Sequence, residues 1–345
     1  MGYRNLVVGT DGSPTAARAV GRAARLARVV GSKLTVVCAK VPDRIFDETA
    51  EEVLEQAGSQ AREHMLEAVL VAPRGEPGRV LCEVAASAGA DLIVVGSVGL
   101  GKERRLRLGS VAEKTAHGAP CDVLIVRTTG DREAVEPERV YQGIVTGTDG
   151  SSTAAEAVRK AFDLGMMLET KVTVVYVAGD PLVGAIVLER ALEAKPDWVP
   201  VETRLVEEGP PAARIAEQAE AGAGELIVVG NKGVVGARRF MLSSVPVQLA
   251  HEAECDVLIA KTTDRSLSDL TPGHGGLVTV DGRKLAVYIE EDGTVHKLSP
   301  RCQHMGCTVD WNDADKSWDC PCHGSRYRFN GEVFNGPAKK SLEPA

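Results

Sequence analysis

The sequence predicts an α/β fold class: two tandem, doubly wound parallel-sheet domains followed by a small all-β domain. Three observations predict it. An internal repeat divides roughly the first three quarters of the chain into two copies. Inside each copy, apolar runs of strand length alternate with helical patterns, the signature of strand–helix–strand units. The remaining C-terminal part changes to short alternating runs broken by turn dipeptides.

The 345 residues have room for such domains, each burying its own core. Hydrophobic residues make up 44%, aromatic residues 4% and charged residues 26%, a soluble Val/Ala/Leu-rich composition and not a disordered one. The formal charge of −8 argues against a nucleic-acid partner. The longest apolar runs fall well short of a membrane span, so no membrane partner is expected. "MGYRNLVVGTDGS" opens with one Arg and a strand-length apolar run, without the longer apolar stretch of a secretory leader. A cytoplasmic location is expected, where stray disulfides are rare.

The repeat is explicit. "NLVVGTDGSPTAARAV" at 5–20 returns as "GIVTGTDGSSTAAEAV" at 143–158. "DLIVVGSVGLG" at 91–101 returns as "ELIVVGNKGVVG" at 225–236, and "CDVLIVRTT" at 121–129 as "CDVLIAKTT" at 255–263. The expected domains are 1–128 and 140–263, joined by the polar "TTGDREAVEPER", with a third domain over 268–345.

Each element has a local reason. The runs "LTVVCAKV", "DLIVVG" and "DVLIV" are continuous, as strands buried on both faces require. "SPTAARAVGRAARLARVVG" places Ser13 as N-cap, Pro14 in the first helical turn and Gly31 beyond the end. Ligands of such sheets gather at the carboxyl ends of the strands. There, "LIVV" is followed by Gly96, Gly99 and, after a basic stretch with Lys102, Arg104, Arg105 and Arg107, by Gly109-Ser110 at the start of a helical pattern. Glycines let backbone N–H groups approach a phosphate, and a helix N-terminus adds donors. The second copy has Gly230, Gly233 and Ser243-Ser244, with Arg238 and Arg239 between. Asp11 and Asp149 end the first strand of each copy, where a carboxylate can reach a ribose or, through water, a metal ion. Cys38, Cys82, Cys121 and Cys255 read as small core residues. His117 and His251, at the ends of the last helical patterns, read as solvated or as neighbours of the helix C-termini.

This arrangement resembles the universal stress protein family, whose ATP-binding members carry G-x2-G-x9-G-[S/T] after the fourth strand. Copy one matches at Gly96, Gly99, Gly109 and Ser110; copy two has Ser243 where the pattern has glycine. The resemblance implies adenine-nucleotide-alpha-hydrolase-like domains. It also implies ATP, with adenine near Ala39 and Val177 and phosphates at the glycine loop, in copy one more than in copy two. Family members pair such domains, so the tandem could supply that pairing within one chain, and a homodimer is the other assembly to expect. Neither copy shows a water-activating base beyond Asp11 or Asp149, so substrate turnover is not expected.

The last domain carries half of the eight cysteines. "LVTVDGRKLAVYIEEDGTVHKLS" and "FNGEVFNGP" break at Asp-Gly and Asn-Gly pairs, as hairpins do. "CQHMGC" at 302–307 and "CPCHGSRY" at 320–327 place Cys302 with His304 and Cys320 with His323, one thiol and one imidazole on each of two loops. Such a set suits zinc or a two-iron cluster. Cys307 and Cys322 form a second pair, one per loop, for which a zinc site has no use.

"CQHMGC…CPCHGSRY…GPA" closely resembles the Rieske [2Fe-2S] motif. That resemblance implies Cys302 and Cys320 on one iron, His304 and His323 on the other, and a Cys307–Cys322 disulfide. It implies Ser325 and Tyr327 as hydroxyl donors to the cluster, and Gly336-Pro337-Ala338 as its cover. No oxygenase-type iron domain is expected in the 22 residues beyond His323, so the cluster is expected to exchange electrons with an outside redox partner. Two functions follow. One is a stress-related, redox-responsive regulator that binds ATP; the other is an electron carrier for a separate reductase or oxygenase, with the tandem domains serving docking or dimerisation.

Overall fold

The computed structural model describes residues 3–41, 47–98, 108–127, 139–177, 180–206, 209–221, 225–231, 245–261, 267, 270–280, 283–304, 306, 308–313, 315–320 and 324–345. The first copy runs β1 (Asn5–Gly9), α1 (Pro14–Val30), β2 (Lys33–Val37), α2 (Asp47–Glu63), β3 (Ala68–Val71), α3 (Pro77–Ser87), β4 (Leu92–Gly96), α4 (Ser110–Gly118), β5 (Asp122–Val126). The second repeats it as β6 (Gly143–Gly147), α5 (Ser152–Met167), β7 (Lys171–Val177), α6 (Pro181–Leu192), β8 (Val201–Val206), α7 (Pro211–Ala221), β9 (Leu226–Gly230), α8 (Val245–Glu252), β10 (Asp256–Ala260).

The first helix forms for the reasons its sequence suggests. The Ser13 hydroxyl accepts from the Ala16 N–H at 3.1 Å, Pro14 opens the first turn, and Gly31 closes the helix at φ 71°. Ala16, Ala19, Val20, Ala23, Ala24 and Ala27 form a buried stripe of small side chains that lets α1 lie close on the sheet. In copy two, the Ser151 hydroxyl caps α5 through the Ala154 N–H at 3.3 Å.

The sheet differs from two separate sheets. Its ten strands run β3-β2-β1-β4-β5-β10-β9-β6-β7-β8, and the two parallel halves meet where β5 pairs antiparallel with β10. The reason lies in the edge strands: Asp122–Val126 and Asp256–Ala260 are buried along their whole length. Left unpaired, each would present an apolar edge with open backbone groups. Pairing them extends one core through both copies on either face of the sheet.

The third domain holds β11 (Gly275–Val280), β12 (Arg283–Ile289) and β13 (Val295–Leu298) in one antiparallel sheet. A second sheet joins β14 (Asp310–Asn312), β15 (Ser317–Asp319), β16 (Arg326–Arg328) and β17 (Val333–Asn335). Turns fall at Asp292-Gly293, Asn330-Gly331 and Asn335-Gly336, each with its glycine at positive φ; Asp281-Gly282 lies outside the described residues. Trp311, Trp318 and Tyr327 are fully buried, and Tyr288 stacks on Trp311 with ring centroids 4.9 Å apart. Among the described residues, no helix is long and apolar enough to cross a membrane.

Candidate functional site

The carboxyl end of the first half-sheet gathers most of the copy-one residues. Asp11 stands two residues beyond β1, and its Oδ1 accepts from the Ser13 N–H at 3.0 Å and the Ser13 hydroxyl at 2.5 Å, which holds the carboxylate beside the cap of α1. Ala39 is buried two residues beyond β2. Gly96 ends β4, and Gly109 is the N-cap of α4, with Ser110 its first residue. The Gly109 N–H donates to the Ser97 carbonyl at 2.7 Å, which brings the two ends of the glycine loop together. Gly109 offers no side-chain cap, so the leading N–H groups of α4 are without one. Gly99, Lys102, Arg104, Arg105 and Arg107 lie outside the described residues.

Copy two places Asp149 two residues beyond β6, Val177 at the end of β7 and Gly230 at the end of β9. Gly233, Arg238, Arg239, Ser243 and Ser244 lie outside the described residues. His251, read from sequence as solvated or as a neighbour of its helix's C-terminus, lies in the last turn of α8 and reaches across the tandem: its Nδ1 accepts from the Leu108 N–H at 3.1 Å, one residue before Gly109. That contact follows from the seam between the copies and has no sequence signal. Cys38, Cys121 and Cys255 are buried and Cys82 is partly buried, each outside any disulfide. Burial, then the neighbouring Asp122 carboxylate, pushes the Cys121 thiol up to about 12, which makes it a packing residue and not a nucleophile.

The third domain brings the two cysteine loops together. Cys302 and Cys320 are buried, and the Cys320 thiol is hydrogen-bonded to Cys302. The Tyr327 hydroxyl lies 3.0 Å from the Cys302 Sγ and accepts from the Gln303 N–H at 3.1 Å. Burial raises the Cys302 thiol, but bonds from the Tyr327 hydroxyl, the His304 N–H, the Cys320 thiol and the Ser325 hydroxyl outweigh it and hold it below its ordinary value. The thiolate is the metal-binding form, so this buried, donor-rich pair suits a soft metal. The Ser325 hydroxyl also accepts from the Ala338 N–H at 3.1 Å. Gly336 sits at φ 95°, where a Cβ would come within 2.5 Å of the Ser325 Cα; only glycine lets the Gly336–Ala338 segment lie this close to the second loop. Cys307, Cys322 and His323 lie outside the described residues. Among the described residues, no group of three or more His, Cys, Asp or Glu is gathered to hold a metal ion.

Sequence reasoning passed over the "WNDADKSWD" hairpin that joins the two loops. Asp313 is its hub: Oδ1 accepts from Trp311 Nε1 at 3.0 Å and Lys316 Nζ at 3.0 Å, and lies 3.2 Å from His274 Nδ1. An acidic turn between two tryptophans was the one available signal, but nothing in sequence says what it touches.

Residues 2–127 and 141–261 match the universal stress protein family, and residues 261–344 match the Rieske [2Fe-2S] domain. An 80-residue stretch, 23% of this chain, is 46% identical to a Bacillus subtilis (strain 168) protein assigned as a Rieske 2Fe-2S iron-sulfur protein, YhfW, and covers 16% of it. Another of 81 residues, 24% of this chain, is 40% identical to the cytochrome b6-f complex iron-sulfur subunit of Synechococcus sp. (strain JA-3-3Ab) and covers 42% of it. The chain thus spans less than half the length of these relatives. The tandem part has the fold of a universal stress protein from Archaeoglobus fulgidus DSM 4304, with a TM-score of 0.62 and 19% identity over 74% of this chain and 98% of that one.

Proposed function

The chain belongs to the universal stress protein family and ends in a Rieske [2Fe-2S] domain, and from that premise we propose that it is a stress-related, ATP-binding protein in which a one-electron centre serves redox-responsive regulation. Cys302 and Cys320 would hold one iron and His304 and His323 the other, with Cys307 and Cys322 bridging the loops. The observation that carries this reading is the buried Cys302–Cys320 pair under the hydroxyls of Tyr327 and Ser325. When bound, the cluster supplies a one-electron couple whose potential is raised by imidazole ligation and by hydroxyl donors. ATP would occupy copy one, at Asp11, Ala39, Gly96, Gly99, Gly109 and Ser110. A cytoplasmic setting suits this pairing of nucleotide and electron.

The full chain made in iron-replete cells should be brown, carry iron and acid-labile sulfide in equal amounts, and give a rhombic EPR signal on reduction. Zinc with no iron overturns the centre. Regulation further requires that nucleotide and electron be linked, and linkage is reciprocal. A coupling of ~1–3 kcal/mol corresponds to a midpoint shift of roughly 40–130 mV at saturating ATP, since a one-electron couple moves about 59 mV per tenfold. Equal potentials with and without ATP favour the second reading, a Rieske-type carrier for a separate reductase or oxygenase. That reading draws on the likeness of the last domain to an iron-sulfur subunit.

A further inference from the structure

The β14–β15 hairpin connects the two cysteine loops and also leaves its own domain. Asn312, the last residue of β14, forms an antiparallel bridge with Ser151, the N-cap of α5. Arg190, near the end of α6, donates from Nη1 to the Asp313 carbonyl at 2.6 Å. The Ser151 bridge stands at the carboxyl end of β6, since Ser151 follows Asp149 by two residues. That rim is where a doubly wound sheet takes its ligand. Burial, then the charges of Asp149, Asp180 and Asp315, raise the Tyr176 hydroxyl, which puts the hairpin's Asp315 in the neighbourhood of the end of β7.

The same hairpin leads straight to a thiol of the proposed centre. Asn312 donates from Nδ2 to Asp319 Oδ2 at 3.0 Å, and Asp319, which also accepts from Arg326 Nε at 3.0 Å, is followed by Cys320. On the other side, Gly230 at the end of β9 packs so tightly on the first turn of α5 that a Cβ there would lie 2.6 Å from the Thr153 carbonyl oxygen. The sheet thus packs closely on the first turn of α5, whose N-cap Ser151 meets the hairpin at Asn312.

We propose that copy two is the seat of the cluster-bearing domain and not a second nucleotide site, with Asn312 as the positioning residue that ties the seat to the Cys320 loop. Nucleotide goes to copy one alone. That allocation rests on the proposed ATP binding; the seat does not, and the experiment separates them.

The full, cluster-loaded chain is followed by amide hydrogen exchange and by calorimetric titration with ATP. The seat predicts protected amides in 310–312 and 317–319 and in the first turn of α5. Arg190→Glu, which sets a carboxylate against Asp313 and Asp315, should speed exchange in all three by at least about tenfold while iron content is retained. Asn312→Ala should do the same and in addition alter the reduced-state EPR line shape, a change that loss of packing at Arg190 alone would not produce. ATP should bind with one equivalent, lost in Gly109→Asp. Unchanged exchange in both hairpin-seat variants overturns the seat, and one ATP equivalent surviving Gly109→Asp in a chain whose hairpin is still protected overturns the allocation of nucleotide to copy one alone. Should the wild-type chain bind no ATP, the nucleotide part of the proposed function fails and the exchange arm alone judges the seat.

Discussion

Tyr327 shows how much one hydroxyl can carry. Its ring is buried in the third domain's core, and its oxygen sits 3.0 Å from the Cys302 Sγ while receiving the Gln303 N–H. Burial and then the bond to Cys302 raise its own pKa, so the phenol keeps its proton and stays a donor toward sulfur across the neutral range. A hydroxyl that stabilises negative sulfur favours the reduced form. Tyr327→Phe keeps the ring and removes the donor, and a bond strengthened by ~1 kcal/mol on reduction corresponds to a midpoint lowered by about 40 mV, read by EPR-monitored titration. Gly336→Ala tests the neighbouring position by sterics. The new Cβ would meet the Ser325 Cα at 2.5 Å, at a φ that alanine rarely adopts. Cluster content per chain should fall while the tandem domains keep their helical circular dichroism.

At the scale of elements, the β14–β15 hairpin is held by Asp313. Burial opposes the charge of Asp313, but hydrogen bonds from His274, Trp311 and Lys316 win and hold the carboxyl well below the usual carboxylate range. A folded-state pKa depressed in this way gives stability that is present above the unfolded value, about 3.9, and lost as pH falls below it. His274 Nδ1 lies 3.2 Å and Lys316 Nζ 3.0 Å from the carboxylate, and Lys316 also donates to the Gly273 carbonyl at 2.6 Å. Asp313→Asn should therefore destabilise the third domain by ~1–3 kcal/mol at neutral pH and by less near pH ~3, so that the two acid-unfolding curves converge. A constant difference across that range would show that the charge is not what Asp313 contributes.

For the whole molecule the seam between the copies is decisive. Two buried carboxylates occupy equivalent places on β5 and β10. Asp122 accepts from the Tyr3 hydroxyl at 2.7 Å, Lys160 Nζ at 2.6 Å and the Lys261 N–H at 2.8 Å. Asp256 accepts from the Tyr141 hydroxyl at 2.8 Å and the Arg127 N–H at 2.8 Å, and pairs with Arg22 Nε at 3.2 Å. In each set the cation and the backbone N–H come from the other copy, so each carboxylate stitches the two halves together. Removing one member of such a set leaves buried partners unmatched, at a cost of about 3–5 kcal/mol. Asp256→Ala should lower the thermal midpoint and split one cooperative transition of the tandem part into two. A single transition retained at the same temperature would mean that the copies do not share their stability.

Much of this was legible in one dimension. The repeat, the continuous strand runs and the Ser13–Pro14–Gly31 helix signals are local in sequence, and local rules governed them because those strands have no exposed face to choose. The Rieske motif was legible because its residues lie within two short loops. The seam was not: "CDVLIV" and "CDVLIA" read alike as buried strands, and only closure of two apolar edges on each other decided that ten strands form one sheet. Nor was His251 beside Leu108, or the hairpin on the rim of copy two, for those partners lie 143 and 161 residues apart or come from separate domains. Sequence by itself determined the elements, the repeat and the two families of domain; tertiary structure decided which surfaces meet, because a contact between distant segments depends on the shape and charge both present once folded, and neither segment encodes the other.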